Sequence, residues 1–195
     1  MNANYHCLSR TDYHAGKYQL VSVRPQDIQL IRCWRNAQID VLRQDREITS
    51  QEQERYFEKQ IWPTLNHEQP TQILFSFLRE QQPVGYGGLV HINWSARKSE
   101  VSVLFDLAKR SEDLYREQLS AYLTLLKDVA FSDLGMHRLW TESYDIRPLH
   151  ISILADQGFE FEGRLRDHEW INGRYVDTLF HACLNDSCPD TEVRN

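Results

Sequence analysis

Ser99–Ser132 reads SEVSVLFDLAKRSEDLYREQLSAYLTLLKDVAFS, and the parsing of this run decides the fold. From Glu100 onward, Val101, Val103 and Phe105 alternate with Ser102, Leu104 and Asp106, the period of a strand. A short charged linker follows. Leu119, Tyr122, Leu123, Leu126, Val129 and Ala130 then recur at three- and four-residue steps, the apolar stripe of a helix. A strand that passes through a tight loop into a buried helix gathers unpaired backbone N–H groups at one point, where the helix dipole also favours negative charge. That arrangement suits a phosphate.

Upstream, residues 1–17 lack a pattern and are expected to form a flexible N-terminal arm. Tyr18–Val23 alternates as a strand, and Pro25 opens a helix with Ile28, Ile31 and Trp34 inward. Thr49 with Glu52 and Ser50 with Gln53 form overlapping capping boxes, predicting a second helix from Gln51 to Ile61, stopped by Pro63. Ile73–Leu78 and Val84–Ile92 read as a β meander, and Gly85, Gly87 and Gly88 within it predict a bulge or close backbone approach.

Downstream, Gly135 ends the central helix and Arg138–Tyr144 is a strand. Pro148 starts a short helix with Leu149, Ile153 and Leu154 inward, Gly158 as its left-handed cap and Phe159 as the contact after it. Asn172-Gly173 predicts the turn of a final hairpin over Phe159–Leu184. Residues 18–184 therefore form one domain, and residues 185–195 a flexible tail.

The 195 residues suffice for one sizeable core, and 41% apolar with 26% charged residues is ordinary for a globular chain. A net charge of -6 with scattered arginines argues against nucleic acid. No apolar run reaches the length of a membrane span and no export signal is visible, so the expectation is no membrane and a cytoplasmic location. Cys7, Cys33, Cys183 and Cys188 lack metal spacing, as do His91, His137, His150 and His181, so no metal is expected.

The element order β-α-α-β-β-β-α-β-α-β-β, with the strings SEVSVLFDLAKR, DLGMHRLW and ILADQGFEFEGRLRDHEWINGRYVD, resembles the GNAT N-acetyltransferase superfamily over about residues 18–184. LADQGF, EGRLRD, the N-G-x-Y-x-D hairpin and Trp34-Arg35-Asn36 resemble the branch of ribosomal-protein N-terminal acetyltransferases and amino-sugar acetyltransferases. The resemblance implies an α/β (α+β) fold: a mixed, mostly antiparallel twisted sheet whose central strands splay between flanking helices. It also implies direct transfer of acetyl from acetyl-CoA, without a metal, to a primary amine on a peptide N-terminus or amino sugar. The partner is thus a small-molecule or peptide amine, and a homodimer is compatible with the family.

An ammonium must lose a proton before it attacks, and Glu100, at the start of the central strand, is the expected base. A solvated strand-end carboxylate is its competing reading, and His91 on the adjacent strand is the second candidate base. The resemblance places the coenzyme at Leu104, Phe105, Arg110, Ser111, Asp113, Tyr115 and Arg147, and the acceptor near Trp34, Arg35, Asn36, His91 and Trp170. Two departures from the pattern stand out. The family's phosphate loop Q/R-x-x-G-x-G/A reads Arg110-Ser111-Glu112-Asp113-Leu114-Tyr115, where Asp113 and Tyr115 replace small residues and Ser111 and Asp113 are good helix caps. In the closing helix, Arg147 aligns with a coenzyme-contacting asparagine and Leu154 with the tyrosine that protonates the leaving thiolate, as is usual for the ribosomal-protein branch. Ser152 or Tyr144 could supply that proton. The alternative reading is a GNAT-fold binding or assembly module with impaired coenzyme binding, and a third is an enzyme for another acyl-CoA.

Overall fold

The protein is described by a computed structural model over residues 4–39, 42, 44–106 and 111–186. Its elements are β1 (Asp12–Ala15), β2 (Tyr18–Ser22), α1 (Ile28–Asn36), α2 (Ser50–Tyr56), β3 (Ile73–Arg79), β4 (Gln82–Asn93), β5 (Lys98–Phe105), α3 (Glu112–Lys127), β6 (Arg138–Tyr144), α4 (Pro148–Asp156), β7 (Glu160–Ile171) and β8 (Arg174–Leu184). The strands form one sheet in the order β1-β2-β3-β4-β5-β6-β8-β7. Every neighbouring pair is antiparallel except β5 with β6.

Two apolar clusters cover opposite faces. On one, Leu119, Tyr122, Leu123 and Leu126 of α3 and Ile153 and Leu154 of α4 pack on Phe75, Phe77, Val101 and Phe105. On the other, Ile31 and Trp34 of α1 and Phe57 and Ile61 after α2 pack on Leu74, Tyr86 and Leu104. The three- and four-residue spacing read from α3 is thus the buried stripe itself. The meander's glycines mark a close approach: a Cβ on Gly87 would lie 2.2 Å from the Ser102 carbonyl oxygen and 2.6 Å from the Tyr122 hydroxyl.

Local signals also place the ends of elements. Thr49 and Glu52 complete the reciprocal capping box of α2. Gly158, at φ 79°, and buried Phe159 close α4, and Asn172 and Gly173 take positive φ at the hairpin turn. Beyond Tyr56 the second helix widens into a π turn (Phe57–Ile61) and tightens into a 3-10 turn (Trp62–Asn66), with Pro63 in the latter's first turn.

The flexible arm expected over residues 1–17 is a correction. β1 lies within it, and Tyr5, Leu8 and Tyr13 are buried in the α3-side cluster. The Leu74 amide donates to the Tyr5 hydroxyl at 3.0 Å, and the Tyr13 hydroxyl donates to Asp133. Aromatic anchoring, not hydrophobic alternation, orders this segment, so the strand period gave no warning. At the other end, Asn185 donates backbone and side-chain bonds to His137 and Met136 carbonyls. Cys188 and the rest of the expected tail from residue 187 lie outside the described residues.

Candidate active site

The two edges of β5 behave differently. Toward β4 it keeps register over six consecutive positions, from Gly85↔Phe105 to Val90↔Glu100, before a slip that leads to Asn93↔Lys98. Toward β6 the parallel pairing ends after Lys98↔Arg138, Ser99↔Leu139 and Glu100↔Trp140. Past Glu100 the strands part, while β6 stays paired to β8 along its other edge over its whole length. A cavity of about 230 Å³ opens there, lined among others by Glu100, Val103, Thr141, Ser143, Arg147 and His150. Side chains alternate across a strand, so Glu100 shares the α1 side with Leu104, while Thr141 and Ser143 share the α3–α4 side with Leu139.

Glu100 is 7% exposed, a buried carboxylate rather than a solvated strand end. His91 Nε2 approaches its Oε2 at 3.7 Å. His91 is held at φ 50° where β4 slips register against β5 between Val90 and Asn93, and its ring is exposed. The register shift therefore lies on β4 and lifts a histidine beside the carboxylate.

On the opposite side, α3 begins at Ser111, whose hydroxyl accepts from the Leu114 amide at 3.2 Å. One helix N–H is thus met by the cap. Asp113 is exposed in the first turn, and Arg110 lies outside the described residues. Tyr115 turns inward, edge-on to Phe105 at 5.9 Å. Its hydroxyl accepts from the Arg147 guanidinium at 2.8 Å and meets His150 Nδ1 at 2.7 Å. His150 is 5% exposed, and burial, with Arg147 and His181 nearby, holds its pKa well below the usual imidazole value. Leu104 and Phe105 are buried in the two clusters. Ser152 is displaced from the cavity: it sits on the exposed side of α4 and donates to the Leu149 carbonyl. Leu154 is 1% exposed in the core.

Facing these residues, Thr141 and His181 are directly in register across β6 and β8. Thr141 Oγ1 and His181 Nδ1 are buried with no hydrogen-bond partner among the described residues. Orphaned polar atoms of this kind are costly unless a ligand or water meets them. Together with the α3 amino end and the Arg147 cation, they make the α3–α4 side a fitting cradle for a polar, anionic coenzyme such as acetyl-CoA. Among the described residues no group of His, Cys, Asp and Glu could hold a metal ion.

The expected acceptor residues divide. Trp34 is 5% exposed in the α1 cluster and belongs to the core. Asn36 is structural: its amide donates to the Ile48 carbonyl and accepts from the Ile48 amide, pinning the α1–α2 loop. Arg35 lines the cavity beside Glu100 and donates to Gln44. Trp170 is 62% exposed and walls a groove of about 710 Å³ with Leu42, Asp45, Glu169 and Tyr144. Tyr144 and Leu42 line both cavities, so the groove adjoins the cavity that holds Glu100. Sequence reasoning missed His150, Thr141 and His181. A signal existed for the first: His150 stands four residues before Leu154, on the same helix face.

The sequence model of the GNAT acetyltransferase domain matches residues 20–180. No curated protein matches the chain. Among solved structures, the spermidine N-acetyltransferase of Vibrio cholerae in complex with CoA and spermine superposes with TM-score 0.74 at 20% identity, covering 87% of this chain and 96% of that one. A dodecameric structure of the spermidine N-acetyltransferase from Vibrio cholerae gives TM-score 0.71 at 21% identity, over 87% and 95%. At this identity the likeness speaks for the fold, and the domain match, which spans most of the chain, favours the enzyme over the binding-module reading. The described helices include none long and apolar enough to cross a membrane. With the parted central strands and the buried Glu100 between them, the chain belongs to the GNAT acetyltransferase family, amine acetyltransferases whose acyl donor is acetyl-CoA.

Proposed function

We propose that this chain acetylates a small cationic primary amine, with Glu100 as the base that frees the amine for attack. The observation that carries the proposal is the placement of Glu100: buried at the head of the splay, on the side continuous through Tyr144 with the groove. Asp45 and Glu169 wall that groove, and Glu142 joins Glu100 in the inner cavity. A row of carboxylates attracts a cation and guides its ammonium inward. Acetyl-CoA supplies the activated acyl carbon; Arg147, Thr141 and the first turn of α3 would hold it on the other side. Glu100 then takes the ammonium proton, and His91 at 3.7 Å balances the carboxylate's charge when protonated. The polyamine acceptors named for the structural relatives fit this acidic approach better than an amino sugar, and the open groove also admits a peptide N-terminus.

Thiol release from acetyl-CoA, followed with spermidine, glucosamine and a short peptide as acceptors, tests the proposal. Turnover is expected to favour spermidine and to weaken on Glu169→Gln through a higher KM. Equal rates with spermidine and glucosamine would overturn the acidic approach as the acceptor's guide, and absence of release with every amine would overturn the activity.

A further inference from the structure

The two departures from the family pattern meet at one point. A tyrosine stands at the loop position where a small residue belongs, and a leucine stands where a thiolate-protonating tyrosine belongs. The Tyr115 hydroxyl reaches His150 on α4 at 2.7 Å, and His150 lines the cavity between β5 and β6. His150 also precedes Leu154 by four residues, so the two share a helix face one turn apart. We infer that Tyr115 and His150 together replace the absent α4 tyrosine as the proton source for the leaving sulfur, with His150 in contact and Tyr115 supplying it from behind.

This inference rests on the acetyltransferase reading. The hydrogen-bond directions favour it. Arg147 can only donate to the Tyr115 oxygen, and at 2.7 Å the phenol is within reach to donate in turn to His150 Nδ1. The relay requires that direction, and with it the tautomer whose proton sits on Nε2. Burial keeps the ring neutral, as a relay requires. Among the described residues, the charged and titratable groups around it are Tyr115 from α3, Arg147 just before α4 and His181 on β8, with Glu100 and Glu142 across the cavity.

The proton count closes. As the carbon–sulfur bond of the donor breaks and its electron pair moves to sulfur, His150 releases its Nε2 proton to that sulfur. Its Nδ1 takes the Tyr115 proton in the same step, so the imidazole ends neutral. The resulting tyrosinate lies against the Arg147 guanidinium and takes its proton back from Nδ1 as Nε2 gains one from solvent, which restores the starting tautomer. A phenol beside a cation and a thiol are close enough in acidity for this exchange, which a bare threonine or serine hydroxyl could not sustain. A purely structural role for Tyr115, closing the gap between α3 and α4, is the competing account.

The experiment combines three readouts on the full chain. In long-range proton–nitrogen NMR spectra of histidine-labelled protein, His150, assigned by its loss in His150→Phe, is expected to show the Nε2–H tautomer, and Tyr115→Phe to abolish that preference. In turnover with acetyl-CoA and the best amine, Tyr115→Phe is expected to lower kcat by roughly a hundredfold, the scale of general acid catalysis, with CoA affinity by calorimetry unchanged. Adding Leu154→Tyr to Tyr115→Phe should restore most of the loss by returning a phenol to the family's position. An Nδ1–H tautomer in the wild type, an unimpaired Tyr115→Phe, or a kcat loss matched by lost CoA affinity without rescue would each overturn the relay. Failure of the wild type to acetylate any amine would instead overturn the acetyltransferase reading and the relay with it.

Discussion

β5 carries two unlike edges. The edge facing β4 is closed: register holds over six consecutive positions, and Gly87 is pressed so near Ser102 and Tyr122 that no side chain fits. The edge facing β6 is released after three residues and lined by Glu100, Thr141, Arg147 and His150. The closed edge spends its hydrogen bonds on itself, whereas the open edge leaves polar groups turned toward a ligand. One strand thereby provides a rigid rail and a reactive margin, and preorganisation of the second follows from the first.

The comparison can be broken from either edge. The largest effect belongs to the open one: Glu100→Gln is expected to lower kcat by about 10²–10⁴-fold, with coenzyme affinity retained by calorimetry. On the closed edge, Gly87→Val must drive a branched side chain into the Ser102 carbonyl, and chemical denaturation should report a loss of about 2–3 kcal/mol, as for overpacked cores. The open edge should respond in the other sense. Thr141→Val removes a buried hydroxyl without a partner, and is expected to raise stability by about 1 kcal/mol while weakening coenzyme binding in calorimetry.

The smallest effect is a pH dependence. His150 and His181 both titrate below their usual 6.5 in the folded state, chiefly through burial. The unfolded chain then binds protons that the folded one refuses, so stability falls as pH drops below about 6.5. Thermal melts between neutral and mildly acidic pH should show this decline, and His150→Phe should flatten part of it. A decline that is unchanged in that variant would place the sensitivity elsewhere.

Much of the architecture was legible from residues 99–132, because a strand period passing into a helix period leaves few folds open. Arg138–Tyr144 and the Asn172-Gly173 turn were equally plain, since alternation and turn chemistry are local. The site was read less evenly. The position of Glu100 at the cavity could be anticipated because its place on the strand could be counted, and Ser152 was misplaced because its helix face could not be weighed against Ile153 and Leu154 without the packing. Thr141 and His181 gain their meaning only from a β6–β8 register that joins residues 40 positions apart. Tyr115 looked like damage to a phosphate loop until its partner on α4 was in view.

The phenol of Tyr5 carries a consequence for where this domain can be cut. It completes a bond from the Leu74 amide near the start of β3, whereas the family match begins only at residue 20. A fragment trimmed to that boundary would lose four buried side chains, Tyr5, Leu8, Tyr13 and Tyr18, and uncover a main-chain donor in the sheet. The unit that homology recognises is therefore smaller than the unit that folds, and a soluble, active recombinant domain needs the opening residues that look dispensable on the page.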